Sequence, residues 1–119
     1  MADYHLGEIE SIFADIIWSN APLTSRLLAE LAEQRLRWKR TTTYTVLKRL
    51  CDRGLFQNQG GTVTALVSRE EFYARQSEQY VQDAFQGSLP AFLAAFGSRK
   101  KLDDREIEEI QKLIDSMRR

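Results

Sequence analysis

Near the start of the chain apolar residues recur at intervals of three and four. Leu6, Ile9, Ile12, Phe13, Ile16 and Ile17 line one stripe, the pattern of a helix with a single buried face. Gly7 is a tolerable N-cap for it, and Glu10 carries negative charge into the first turn, where the helix macrodipole favours it. Asn20-Ala21-Pro22 breaks the pattern. Thr24 then stands where it can cap a second helix, striped by Leu27, Leu28 and Leu31. A third helix is predicted from Thr41 or Thr42, with Val46, Leu47, Leu50 and Cys51 facing inward and Gly54 as its C′ residue. Thr42, Thr45, Arg49 and Asp52 follow i, i+3, i+7 and i+10, so they share a second, polar face of that helix.

The period then changes. Leu55-Phe56-Gln57-Asn58 and Thr62-Val63-Thr64-Ala65-Leu66 flank Gln59-Gly60-Gly61, two β-competent runs around a turn, which reads as a hairpin. Ser68-Arg69-Glu70-Glu71 has the spacing of a capping box and opens a long helix to about Phe85. After Gly87-Ser88, residues 89–96 read as a short helix with Pro90 in its first turn, broken by Gly97-Ser98-Arg99-Lys100-Lys101. Asp103 with Glu106 opens the last helix, whose stripe is Ile107, Ile110, Leu113, Ile114 and Met117.

Three short helices followed by a hairpin give the order of a winged helix-turn-helix, in which the third helix enters the major groove of DNA and the wing touches the flanking backbone. The expected fold class is mainly α with a small β-hairpin: a winged helix-turn-helix over residues 1–67, then a helical region over 68–119. That second region is rich in large apolar side chains yet has no evident centre of its own. A short segment that cannot bury its surface alone finds a partner. Phe72, Tyr73, Tyr80, Phe85, Phe92, Phe96, Ile107, Ile110, Leu113 and Ile114 are therefore the candidate dimerisation residues of a homodimer.

Charge sharpens this picture. Lys and Arg total 17 against 17 Asp and Glu, a balance that by itself argues against nucleic acid. Residues 35–54, RLRWKRTTTYTVLKRLCDRG, nevertheless hold seven basic residues and one acidic residue, Asp52. Such clustering on and before a helix suits an anionic polymer, because Lys and Arg that replace phosphate counterions supply most of the affinity of these contacts. A solvated basic face is the bland reading of charge alone; position on the third helix of this order favours DNA. Trp38 can stack at a phosphate, but an aromatic just ahead of a helix is more often a staple packed against it. Tyr44 either brushes the backbone or covers the domain surface.

Enzyme readings lack parts: no phosphate-cradling glycine loop, no nucleophile with a histidine partner, and no metal-ligand set around the single histidine, His5. No cofactor is expected. The Asp103–Glu109 carboxylates fit helix capping better than acid–base chemistry. The lone Cys51, on the apolar side of the third helix, behaves as a small hydrophobe. Met1-Ala2-Asp3-Tyr4 does not open a leader, and no apolar run nears the roughly 20 residues that span a bilayer, so the expectation is a soluble cytoplasmic protein with no membrane contact.

Five stretches carry a family resemblance: LGEIESIFADIIW at 6–18, LTSRLLAEL at 23–31, WKRTTTYTVLKRLCDRG at 38–54, LVSREEFY at 66–73 and GSLPAFLAAF at 87–96. Together they resemble the penicillinase-repressor family, the BlaI, MecI and CopY type. The most specific pieces are W-x-x-x-T-x-x-T-x-L-x-R-L-x-x-x-G and the V-S-R-E-E-F start of the long helix. The resemblance implies a homodimeric transcriptional repressor that places one winged helix on each half of a palindromic operator. It puts Thr42, Thr45 and Arg49 in the groove, with Arg40 and Thr41 near the phosphates; Lys39 and the wing's Thr62 complete the candidate DNA contacts. Arg can bind guanine in bidentate fashion, and Thr offers a hydroxyl and a methyl.

Three departures follow. Where members induced through a membrane-bound sensor protease carry a scissile Asn-Phe, this chain has Ala95-Phe96, which leaves open both cleavage there and a sensor or protease partner. The C-terminal Cys-x-Cys cluster of copper-responsive members is absent. The wing lacks a basic tip, because Gln57, Asn58, Gln59 and Thr62 are uncharged. A different reading of the same fold is a winged-helix module whose basic face docks an acidic protein.

Overall fold

The first apolar stripe becomes α1 (Glu8–Asn20), with Gly7 at its N-cap, and buries Phe13, Ala14, Ile16 and Ile17; Ile9, in the first turn, stays exposed. The chain then forms β1 (Leu23–Thr24), a strand of two residues that sequence patterning does not show. Thr24 also caps α2 (Ser25–Leu36), accepting a hydrogen bond from the Leu27 amide at 3.0 Å. On α2 the core positions go to Leu28, Ala29 and Ala32, while Leu27 is exposed. Of the expected stripe, Leu28 is buried and Leu31 packs against the core, whereas Leu27 sits exposed in the first turn beside the cap and Ala29 and Ala32 join the core.

The third helix, α3 (Arg40–Asp52), starts a residue or two ahead of the expected Thr41 or Thr42 and buries Thr43, Val46, Leu47 and Leu50. Its end is a Schellman motif: the Gly54 amide donates to the Cys51 carbonyl at 2.9 Å, and the Leu55 amide to the Leu50 carbonyl at 3.1 Å. Gly54 takes φ +83°, a conformation costly for any residue with a Cβ. The motif turns the chain directly into the hairpin β2 (Phe56–Gln59) and β3 (Thr62–Ala65), joined by Gly60 and Gly61, both at positive φ as a type I′ turn requires. The antiparallel sheet has the order β1-β3-β2, with Leu23 opposite Val63 and Phe56 opposite Ala65. The Ser25 amide donates to the Gly61 carbonyl at 2.8 Å, tying the start of α2 to the wing turn.

The structure is a computed structural model that describes residues 4–118; Met1, Ala2 and Asp3, where the sequence was read for a leader, and Arg119 lie outside the described residues. Two compact units, Met1–Gln79 and Tyr80–Arg119, divide the chain. The long helix α4 (Arg69–Phe85) runs from the first into the second. Its first turns belong to the N-terminal core: Phe72 is fully buried against Tyr4, Trp18 and Tyr73, and the Trp18 indole N–H donates to the Val67 carbonyl at 2.9 Å. Two arginines fasten the same turns. Arg69 donates to Asp15 of α1 at 2.9 Å, and Arg75 donates to the Tyr4 hydroxyl at 2.6 Å and to Glu71 at 2.8 Å.

In the second unit, α5 (Leu89–Arg99) is capped by Ser88, whose hydroxyl accepts from the Ala91 amide at 3.1 Å. The helix runs three residues past the expected Phe96 and ends inside the expected break, Gly97-Ser98-Arg99-Lys100-Lys101. A glycine inside a helix costs only about 1 kcal/mol, and the helix continues until the Lys100 amide closes on the Phe96 carbonyl at 2.9 Å. Asp103 caps α6 (Asp104–Ser116) by accepting from the Glu106 amide at 2.8 Å. Neither α5 nor α6 buries a residue fully. Among the described residues no helix is long and apolar enough to cross a membrane.

Candidate nucleic-acid interface

With Thr43, Val46, Leu47 and Leu50 turned into the core, α3 presents its other side to solvent. Lys39, Arg40, Thr41, Thr42, Thr45 and Arg49 are all exposed there, so six of the seven expected DNA contacts lie on one helix or its N-cap. Thr62 stands apart on β3, exposed, opposite Thr24 and Gln59 and next to the turn. Spacing places Thr41, Thr45 and Lys48 opposite the buried face, with Thr42 and Arg49 on one flank. Lys48 was missed by sequence reading, although its i+3 offset from Thr45 places it there.

The two ends of α3 differ electrostatically. At the N-terminus, Lys39 makes no side-chain cap bond, no acidic residue lies in the first turn, and Arg40 adds a cation. Each other helix has a side-chain cap, an acidic first turn, or both. The unpaired amides of this first turn and the surrounding cations make an environment suited to a phosphate. Toward the C-terminus the cations are matched by carboxylates: Lys48 lies 3.3 Å from Asp52, and Arg49 lies 3.4 Å from Glu10 of α1. The Thr45 hydroxyl donates to the Thr41 carbonyl at 2.9 Å, which leaves its lone pairs and methyl group for a ligand.

Trp38 packs on the core, its ring centroid 5.0 Å from that of Phe13 on α1. Tyr44 is exposed. Cys51 is half-buried, and burial pushes its thiol pKa up, assisted by the charge of Asp52 and opposed by a hydrogen bond from the Asn58 backbone.

A family model described as Penicillinase repressor matches residues 6–116, nearly the whole chain. The chain belongs to the penicillinase-repressor family. No curated protein matches it. Members of the family are DNA-binding transcriptional repressors, and in this repressor α2 and α3 are the helix-turn-helix, with β2 and β3 as the wing. The match extends through α5 and α6, so the C-terminal helices are part of the penicillinase-repressor pattern and not an addition to it.

The expected dimerisation residues separate into two groups. Phe72 lies in the core of the repressor's N-terminal unit with no exposed surface, and Tyr73 is half-buried beside it under the Arg69 guanidinium, 5.0 Å from the ring. Burial, with the Asp15 charge, pushes the Tyr73 pKa up; the Arg69 charge opposes it. Their place at the start of α4 put them with the later aromatics in sequence, whereas packing sets both against Trp18 of α1. Tyr80, Phe85, Phe92 and Phe96 form a chain of ring contacts in the second unit, with centroids 5.7–6.2 Å apart. Ile107, Ile110, Leu113 and Ile114 form a stripe on α6 that stays largely open to solvent.

Proposed function

We propose that the protein is a homodimeric repressor that occupies a two-fold symmetric operator, with α3 of each subunit in a major groove. Thr42, Thr45 and Arg49 read base edges. Lys39, Arg40 and Thr41 anchor the helix on phosphates, and Thr62 contributes from the wing. The observation that carries this reading is the outward side of α3: an uncapped, cationic N-terminus followed by exposed threonines and an arginine.

Residues 68–119 supply the dimer contact through Tyr80, the α5 phenylalanines and the α6 stripe. The first turns of α4, with Phe72, serve instead to join that region to the winged helix. Two α3 helices must then lie about 34 Å apart, one turn of DNA. Such a protein works where the DNA is, in the cytoplasm. With an uncharged wing, the phosphate contacts fall mainly to α3.

A salt titration on duplex DNA tests the reading. Binding to a duplex selected from a random pool should weaken steeply, log K falling by about 0.9 for each phosphate neutralised, and should exceed binding to a scrambled duplex. Equal affinity for every duplex would overturn sequence reading by α3 and favour a protein-docking role for the basic face.

A further inference from the structure

On α3 the sequence cluster of cations is divided by the fold. Lys39 and Arg40, at the N-terminal end, have no ion pair among the described residues, whereas Lys48 and Arg49 each meet a carboxylate. The Arg49 partner comes from another helix. Glu10 Oε1 accepts from the Gly7 amide at 3.2 Å as part of the α1 cap, and Oε2 accepts from Arg49 Nη1 at 3.4 Å. The Glu10 side chain is 25% exposed and that of Arg49 57%. The carboxylate is therefore held on its far side by a backbone bond, which restrains it from following Arg49 outward. One nitrogen of the guanidinium is engaged; its remaining donors are available to a ligand.

From this we infer that Glu10 is a specificity-determining positioning residue: it tethers Arg49 and withholds its charge from phosphates of arbitrary sequence, so that operator is favoured over random DNA. The inference rests on the reading of α3 as the DNA-contacting helix. An untethered guanidinium would join the counterion-release contribution and strengthen binding to every duplex alike. A tethered one contributes when a ligand offers a better partner than the carboxylate, as the paired acceptors of a guanine edge do. Specificity is a difference of affinities, and a fixed carboxylate beside the reading cation penalises the unspecific partner.

Glu10→Gln isolates the effect, because glutamine also serves in a capping box and so keeps the Gly7 bond while losing the charge. The full-length chain, Glu10→Gln, Arg49→Ala and the double variant would be titrated against two probes over a range of salt. One probe is a duplex selected from a random pool by the wild-type protein, the other a scrambled duplex of equal length.

Glu10→Gln should bind the scrambled duplex about two- to fivefold more tightly, the range expected for release of one exposed charge pair. Its salt slope on that duplex should steepen by about 0.9. The ratio of selected to scrambled affinity should fall, and the change should vanish when Arg49 is already Ala. An unchanged slope and ratio in Glu10→Gln, with Arg49→Ala still weakening DNA binding, would overturn the role of Glu10 and leave the reading of α3 intact. No effect of Arg49→Ala on either duplex would remove Arg49 from the DNA contacts, and this inference with it.

Discussion

Thr43 occupies a core position of α3 with no exposed surface, and its hydroxyl oxygen has no hydrogen-bond partner among the described residues. It shares the stripe of Val46, Leu47 and Leu50 at i+3, i+4 and i+7, so the helical period already placed a polar residue on the apolar face. A buried hydroxyl without a partner costs free energy that an apolar group of the same shape does not. Thr43→Val should therefore stabilise the protein by about 1 kcal/mol in urea denaturation; a loss of stability would show that the hydroxyl is satisfied. Cys51, on the flank of the same helix, answers to pH. Because burial raises its pKa, the folded chain keeps the thiol proton after the unfolded chain has released it. Stability from this group is thus full below the ordinary thiol range, about 8.5, and is lost as pH rises through the folded pKa. The matching observation is alkylation: at pH 8 the native thiol should react more slowly than the same thiol in denaturant, and an equal rate would deny the shift.

At the scale of elements, two glycines show how backbone conformation decides the sign of a substitution. Gly54 sits at φ +83° in the turn that joins α3 to the wing, so Gly54→Ala should destabilise by about 1 to 2 kcal/mol even though an added Cβ meets nothing within 4 Å. Gly97 lies inside α5 with equally open surroundings, and there alanine should stabilise by about 0.5–1 kcal/mol. Thermal melts of the two variants should move in opposite directions. The elements most legible in the sequence are those with local signals: Thr24, Ser68, Ser88 and Asp103 each cap a helix within three residues, and Gly60-Gly61 dictates the hairpin. The two-residue β1 was invisible because its definition is a partner, Val63, forty residues later in the chain. For the same reason the outward face of α3 followed from periodicity, while the pairing of Arg49 with Glu10, 39 residues away, did not. Arg69 with Asp15 and Arg75 with Tyr4 are further contacts of this kind; nothing in local spacing announces them.

For the whole molecule the decisive surface is that of α6. Its polar face carries Glu108, Lys112 and Asp115, and its apolar face carries Ile107, Ile110 and Ile114, continued by Met117 at the C-cap, at i, i+3, i+7 and i+10, yet none of these apolar residues is fully buried. Ile114 is 42% exposed and Met117 66%. An amphipathic helix gains most of its stability in a protein by burying that stripe, which supports the proposed dimer contact on α6. In a two-fold dimer the same stripe serves both subunits, and one substitution is felt twice across the interface. In the proposed dimer Ile114→Glu places a charge against the partner's apolar face. Leaving a charge buried without a counter-ion costs about 3 to 5 kcal/mol, so one copy alone weakens the dimer by about two to four orders of magnitude in Kd. Sedimentation at micromolar concentration should show the wild-type chain as a dimer and Ile114→Glu as a monomer, while circular dichroism reports whether the winged helix persists. The monomer should bind operator far more weakly, because two α3 helices no longer share one attachment, but its residual binding to a single half-site should keep its sequence preference. A dimeric Ile114→Glu would place the interface elsewhere than α6, and a monomeric wild type would return the apolar stripe to a partner of another kind.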